Sequence, residues 1–393
     1  MKIPPPLAAQ TRTLLGPGPS DVDPAVLRAL SLPTVGHLDP SFLNVMDELR
    51  AMLSEVLGAR GGRSTAISAT GSAGMEACVT NLVEPGDRVL IGQTGVFGGR
   101  MAEVARRAGA EVTLVEGAWG EPLPIERLRE AATGGGYRLV GIVHAETSTG
   151  VLQPLEGLRG LADELGALVL VDAVTSLAGH PLDVEASGID ALYSGTQKCL
   201  SCPPGLSPVH FSDRALERIA QRERPCQSWY LDFDLIEGYW GTARAYHHTA
   251  PINLLFGLHE ALRQVLLEGL TERYARHALH ANALWVGLTA MGLELRVARA
   301  ARLHPLTAVA IPEGVDDAEV RGGLLREFGI EIGGGLGPMQ GNTWRIGLMG
   351  ASSHRRNVDL VLGALGAMLG RSSGDALGAA DRVYAECGPG ATA

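Results

Sequence analysis

With 393 residues, the chain is long enough for two domains or for one large domain with an appendage, and an apolar fraction of 46% suffices for a large core. A net charge of −10 argues against nucleic acid and anionic membrane surfaces as partners. The sequence has no apolar run of membrane-spanning length, no apolar signal core and no regular cysteine spacing, so we expect a protein of the reducing cytoplasm.

The first two hundred residues alternate between apolar runs of strand length and amphipathic stretches of helix length. Residues 1–19, rich in proline and glycine, are expected to form an arm that lies over another surface. The predicted strands are Ser64–Ser68, Arg88–Ile91, Glu111–Val115, Leu139–His144, Leu168–Val171 and Ala191–Ser194, and helices are predicted over Ala73–Leu82, Gly98–Ala108, Ile125–Ala132 and Leu155–Leu165. This alternation predicts an α/β fold with a mainly parallel sheet covered by helices.

The pattern loosens after about residue 200. Two long helices are predicted over Asn253–Gly269 and Arg273–Met291, and the stretch that follows mixes strands and helices as a smaller α+β domain. From about Arg371 the chain is rich in glycine, alanine and serine, and we expect a flexible tail. The predicted organisation is an arm over 1–19, a large domain over 20–270, a small C-terminal domain over 271–370 and a tail over 371–393.

Lysine is almost absent from the chain. Of 33 basic residues only Lys2 and Lys198 are lysine, and Lys198 follows an apolar run that ends at Ser194. An amine whose pKa can be lowered can form a Schiff base and carry protons, whereas arginine stays protonated. A genome that favours arginine codons could also leave one interior lysine by chance. Taken alone, the functional role of Lys198 is therefore a hypothesis.

Two further features follow predicted strands. Thr70, Gly71 and Ser72 open the first helix, where glycine allows close approach and free N–H groups attract a phosphate, although a plain tight turn is the alternative. Asp172 ends the strand Leu168–Val171, either as a partner for a buried cation or as a capping or loop residue. Because parallel strands end at one edge of a sheet, Asp172 and Lys198 can face one ligand.

These three features together require a ligand with a phosphate, a basic nitrogen and an electrophilic carbonyl. Pyridoxal phosphate has all three. Its phosphate would lie on the Gly71 loop, its pyridine nitrogen on Asp172 and its imine on Lys198.

The chain resembles the class V aminotransferases of fold type I, in particular their alanine–glyoxylate and serine–pyruvate group. The matching motifs run in family order from about residue 14 to residue 350. They are Leu15-Gly16-Pro17-Gly18-Pro19-Ser20, Gly36-His37, Glu84-Pro85-Gly86-Asp87, His144-Ala145-Glu146-Thr147-Ser148-Thr149-Gly150, Val171-Asp172-Ala173, Tyr193-Ser194-Gly195-Thr196-Gln197-Lys198, Tyr246-His247-His248-Thr249 and Arg345-Ile346-Gly347-Leu348.

The resemblance implies a role for each matching residue. Lys198 holds the cofactor as a Schiff base and moves the α-proton, and Asp172 pairs with the pyridine nitrogen. The cofactor-binding set is Thr70, Gly71, Ser72 and Gln197 at the phosphate, Phe97 stacked on the ring, Thr147 at the hydroxyl, and Tyr246 and Thr249 at the phosphate of the neighbouring subunit in a homodimer. The family carries tryptophan where this chain has Phe97, which offers a smaller face and no N–H donor.

Substrate binding falls to Gly36 and Arg345 in this resemblance. The planar donors of arginine match two carboxylate oxygens. Without the resemblance, Arg345 would be interpreted as a salt-bridged strand residue. His247 and His248 lie next to each other but have no carboxylate or cysteine at ligand spacing, and Cys199 and Cys202 lack a second pair, so no metal site is predicted.

The implied activity passes the amino group of alanine or serine to glyoxylate in two half-reactions on one site. Alternatives within the fold are serine–glyoxylate, ureidoglycine–glyoxylate and 2-aminoethylphosphonate–pyruvate aminotransferases, or a lyase or cysteine desulfurase. A desulfurase needs a mobile cysteine well downstream of the lysine, and after Cys226 the next is Cys387 in the predicted tail. Two alternatives come from other classes of protein. One is a nucleotide-binding oxidoreductase, but the chain lacks the glycine motif that binds a dinucleotide. The other is a cofactor-binding protein without turnover.

Overall fold

The computed structural model describes residues 1, 3–8 and 10–387. Its strands are β1 Thr13–Leu14, β2 Arg63–Ile67, β3 Arg88–Gln93, β4 Glu111–Glu116, β5 Tyr137–Val143, β6 Ala145–Glu146, β7 Val151–Leu152, β8 Leu168–Asp172, β9 Ala191–Tyr193, β10 Ser207–Phe211, β11 Leu306–Ala310, β12 Ile330–Glu331, β13 Gly333–Gly334 and β14 Thr343–Gly347. Its α-helices are α1 Pro24–Leu30, α2 Pro40–Leu57, α3 Gly71–Leu82, α4 Val96–Arg107, α5 Ile125–Ala131, α6 Leu158–Leu165, α7 Asp213–Ala220, α8 Phe233–Trp240, α9 Ile252–Glu268, α10 Leu270–Ala290, α11 Asp317–Glu327, α12 Arg355–Met368 and α13 Gly374–Cys387.

A seven-stranded sheet forms the centre of the larger part of the molecule. Its order is β2-β10-β9-β8-β5-β3-β4, and only β10 runs antiparallel to its neighbours. The six predicted strands are all members of this sheet, and the predicted α/β class is confirmed. Strand β10, which carries Pro208 and is five residues long, is not among the predictions and inserts between β2 and β9.

Helix α2 shows how local sequence sets the elements that cover this sheet. Asp39 accepts a hydrogen bond from the backbone N–H of Ser41, and Pro40 occupies the first helical position, where it costs no hydrogen bond. Gly58 ends the helix with a φ of 66°, a left-handed conformation that glycine adopts without strain. Between these ends, an apolar face that includes Phe42 and Leu49 is fully buried against the sheet core.

A second core lies in the C-terminal region, residues 270–387. The three-stranded antiparallel sheet β11-β14-β13 packs with helices α10, α11, α12 and α13 around Trp344 and Ile346. The arm reaches this region too, because β1 pairs with β12 and the N–H of Gly347 donates to the carbonyl of Leu15 at 2.7 Å. No helix among the described residues is long and apolar enough to cross a membrane.

Helix α13 occupies much of the stretch for which composition predicts a flexible tail. Small alanines at positions 376 and 380 are buried against α10, and Tyr384 is only 3% exposed. Close approach of two helices requires such small residues, which explains why a composition typical of a tail forms a packed helix. The last part of the predicted tail, residues 388–393, lies outside the described residues.

Replacing Tyr384 with alanine should lower the free energy of unfolding by about 3 kcal/mol, because it removes a buried ring and its hydroxyl contact with His280 Nδ1. Urea unfolding followed by circular dichroism measures this. The matched control on the same helix is Glu386→Ala, an exposed position. Equal urea midpoints for both variants would show that α13 does not belong to the core.

Candidate active site

A cavity of about 270 Å³ opens at the carboxyl ends of β5, β8 and β9. It is lined by eight of the predicted site residues, namely Thr70, Gly71, Ser72, Phe97, Thr147, Asp172, Gln197 and Lys198. Strand β8 delivers Asp172 as its last residue, and the loop after β9 delivers Gln197 and Lys198. The sheet thus brings together residues that are up to 128 positions apart, from Thr70 to Lys198.

The Lys198 side chain is only 9% exposed and is covered by the N-terminal arm. Its Nζ donates a hydrogen bond to the carbonyl of Pro17, and a Cβ at Gly18 would overlap that nitrogen. The hydroxyl of Ser20 donates to the carbonyl of Lys198 at 2.7 Å, which fixes the backbone of the loop. The pKa of the Lys198 amine is lowered to about 8, mainly by burial and also by the positive charge of Arg345, against the raising effect of Cys199 and Asp172.

Asp172 is 3% exposed and accepts two hydrogen bonds. The N–H of Val174 donates to Oδ1 at 2.8 Å, and the hydroxyl of Tyr193 donates to Oδ2 at 2.7 Å. Burial raises the pKa of Asp172 to about 6, against the lowering effect of these hydrogen bonds and of the Lys198 charge. At neutral pH the carboxylate is therefore ionised and suited to a cationic partner. Tyr193 was missed by sequence reasoning, although the strand register places it directly beside Asp172.

The start of helix α3 forms one wall of the cavity. The Thr70 side chain makes no capping hydrogen bond to this helix, which leaves the positive end of its dipole facing the cavity. A Cβ added at Gly71 would lie 3.3 Å from the carbonyl oxygen of Ser194, so a larger residue would push this loop outward. The buried amide oxygen of Gln197, which also lines the cavity, has no hydrogen-bond partner among the described residues. The free N–H groups of the helix start suit an anion with several acceptor oxygens, towards which Gln197 could turn its amide NH2 group.

Arg345 lies on β14 of the C-terminal region, 7% exposed, and reaches towards the large sheet. Its Nε donates to the carbonyl of Gly334 at 2.7 Å and its Nη1 to the carbonyl of Thr147 at 3.0 Å. No carboxylate of the described residues lies within salt-bridge distance of it, so its charge is held in place without being neutralised by an ion pair. The alternative of a salt-bridged strand residue is therefore not what the structure shows.

Three predicted residues lie away from this chain's own cavity. Gly36 and Thr249 are exposed, and Tyr246 is 61% exposed. The Tyr246 hydroxyl is 3.5 Å from Thr249 Oγ1, and its ring lies 5.1 Å from that of His37, beside Gly36. These residues therefore form a surface group of their own.

His247 and His248 are hydrogen-bonded to each other, with 2.7 Å between their Nδ1 atoms, and His248 Nε2 is 2.7 Å from Ser68 Oγ. Within the described ranges, no group of three or more histidine, cysteine, aspartate or glutamate side chains is placed to hold a metal ion.

Residues 24–353 match the sequence model of the family described as aminotransferase class-V. An alanine–glyoxylate aminotransferase structure from Nostoc sp. is 47% identical with a TM-score of 0.92, covering 94% of this chain and 98% of that one. A ureidoglycine–glyoxylate aminotransferase structure from Bacillus subtilis is 41% identical with a TM-score of 0.95, covering 97% and 100%. The alanine–glyoxylate aminotransferase of Callithrix jacchus is 40% identical over 364 residues, 92% of this chain and 88% of the relative.

The chain belongs to the class V aminotransferases, and within them to the alanine–glyoxylate aminotransferase group. The resemblance noted from the motifs is thereby confirmed. Membership implies pyridoxal phosphate as cofactor, and an amino acid and a 2-oxo acid as substrates.

The raised pKa of Asp172 should make the free energy of unfolding of the cofactor-free protein depend on pH. Asp172→Asn should abolish this dependence. A carboxyl whose pKa rises from 3.8 to about 6 on folding holds a proton that the unfolded chain has lost. Wild-type stability should therefore fall by about 3 kcal/mol, relative to the variant, as pH rises from about 4 to above 6. Urea midpoints across this range measure the change. Parallel curves for both proteins, like those expected for the exposed Asp375→Asn control, would contradict it.

Proposed function

We propose that this enzyme transfers the amino group of a small L-amino acid, alanine or serine, to glyoxylate, with pyridoxal phosphate in the cavity around Lys198. The observation that carries this proposal is one cavity that combines a buried amine of lowered pKa, a buried carboxylate and an uncapped helix start. Both kinds of relative reported above, the alanine–glyoxylate and ureidoglycine–glyoxylate enzymes, have glyoxylate in their names, which supports it as the acceptor.

The residues of the cavity fit the three chemical parts of this cofactor. Thr70, Gly71, Ser72 and Gln197 would hold the phosphate, because the uncapped helix start leaves N–H donors unused and the amide NH2 of Gln197 can donate a hydrogen bond. Asp172 would hold the protonated ring nitrogen, because its ionised carboxylate is buried without a neutralising ion pair among the described residues. Phe97 would stack on the ring and Thr147 would bond its hydroxyl.

When bound, pyridoxal phosphate supplies the electron sink that makes the α-proton of an amino acid removable. Lys198 would accept this proton, because a pKa of about 8 leaves part of its amine unprotonated near neutral pH. Arg345 would orient the carboxylate of either substrate, because its guanidinium is already held by two carbonyls. One arginine that serves both substrates agrees with two half-reactions on one site.

We also propose a homodimer in which Gly36, Tyr246 and Thr249 serve the neighbouring subunit's site. Their exposure on this chain, away from its own cavity, supports that role. Trp229, 62% exposed, and Tyr230, 38% exposed, add apolar surface near them, since both rings contact His247.

Ureidoglycine is the second candidate donor. The similarity to the Bacillus subtilis ureidoglycine–glyoxylate aminotransferase, with a TM-score of 0.95, supports it. The cofactor-loaded enzyme should be mixed with L-alanine, L-serine or (S)-ureidoglycine while its visible absorption is recorded. Alanine or serine should shift the visible band to shorter wavelength, and glyoxylate should restore it. A shift with ureidoglycine alone would replace the proposed donor, and no shift with any amino acid would overturn the transaminase proposal.

Replacing Lys198 with arginine should keep the fold and the positive charge but reduce turnover by at least about 10³-fold, because arginine can neither form the imine nor accept the α-proton. The matched control is Lys2→Arg, the same change at the other lysine of the chain. Steady-state transamination measures both variants. Turnover near the wild-type rate in Lys198→Arg would rule out the assigned role.

A further inference from the structure

Glu146 is a buried acid to which neither the family motif nor the proposed mechanism gives a task. It is 0% exposed and lies on β6, one residue before Thr147. Burial raises its pKa to about 7. A carboxylate kept in such a place requires strong local partners, because an unpaired buried charge is costly.

The partners of Glu146 are at the start of helix α4. Its Oε2 accepts hydrogen bonds from the N–H groups of Phe97 at 3.1 Å and Gly98 at 3.3 Å. Its Oε1 accepts from the N–H and hydroxyl of Ser148, and the Ser148 oxygen accepts in turn from the N–H of Val96 at 2.9 Å. Glu146 and Ser148 therefore satisfy the first three N–H groups of α4, which no helical carbonyl can reach.

The residue that would normally cap α4 cannot do so. Gly95 occupies the capping position and has no side chain. A Cβ there would overlap Ser148 Oγ and come within 2.6 Å of the Glu146 carboxyl carbon. The cap of this helix is thus supplied by two side chains about 50 residues further along the chain, and glycine leaves the space for them.

The capped turn carries groups of the cavity. Phe97 is the second residue of α4, and the Cζ of Arg100 lies 5.0 Å from its ring centre. On the other side, the carbonyl of Thr147 holds Arg345, and the charge of Glu146 favours the charged form of that arginine. Glu146 therefore touches the backbone of the stacking residue and adjoins the residue that holds Arg345.

We propose that Glu146 is a positioning residue of the cofactor site, which through its cap on α4 fixes the Phe97 ring against the bound pyridoxal phosphate. This rests on the proposed function for the identity of the bound group. The cap itself does not, so the two can be tested apart.

The first test is the affinity of the cofactor-free, full-length enzyme for pyridoxal phosphate. Glu146→Gln removes the charge and turns an NH2 donor towards N–H or O–H donors that the carboxylate now satisfies, so the cap is weakened and binding should weaken about tenfold. In a Phe97→Ala background the same change should weaken binding less than about twofold, because the ring that it positions is gone. Equal losses in both backgrounds would overturn the proposal and leave Glu146 a merely structural acid.

The second test does not depend on the cofactor. Amide hydrogen exchange of the cofactor-free protein should speed up at Val96–Gly98 in Glu146→Gln. In Ser148→Ala, a milder change, the effect should be greatest at Val96, whose N–H donates to the Ser148 hydroxyl. The control is Glu103→Gln, an exposed acid on the same helix that pairs with Arg107. Unchanged exchange in both cap variants would overturn the proposal. Failure of the wild type to bind pyridoxal phosphate, with exchange altered as expected, would count against the proposed function and remove the cofactor role, while leaving the cap intact.

Discussion

The site depends on the burial of two opposite charges that do not form an ion pair with each other. Asp172 ends a central strand and Lys198 follows the next one, and both side chains are buried. Burial moves their pKa values towards neutrality, to about 6 and about 8. Such a site is costly in the free protein. A ligand that brings a cation to the carboxylate and a carbonyl to the amine would relieve part of that cost.

The rest of the fold keeps these two groups in place. The arm crosses Lys198 at Pro17 and Gly18, then continues along the C-terminal region through the contact between Leu15 and Gly347. Arg345, two residues before Gly347, enters the neighbourhood from the same strand. One segment of chain therefore contacts both the loop that carries Lys198 and the strand that carries Arg345.

Much of this arrangement follows from short-range signals in the sequence. Aliphatic runs that each end in a polar residue predict parallel strands and place Asp172 and Lys198 at one edge, and the motif order gives the family. Other features depend on long-range packing that leaves no local signal. Strand β10 is inserted between two strands distant in sequence, and helix α13 has a composition typical of a tail. Glu146 and Tyr193 form hydrogen bonds with residues about 50 and 20 positions away.

The most direct test of the account is to find which amine binds pyridoxal phosphate. Borohydride reduction of the cofactor-treated enzyme would make the bond permanent, and mass mapping of peptides would locate it. Since the chain contains only two lysines, Lys2 and Lys198, the result is unambiguous. The account predicts a reduced pyridoxyl phosphate group on Lys198 and none on Lys2. An unmodified Lys198 in a protein that retains the cofactor would contradict its central claim.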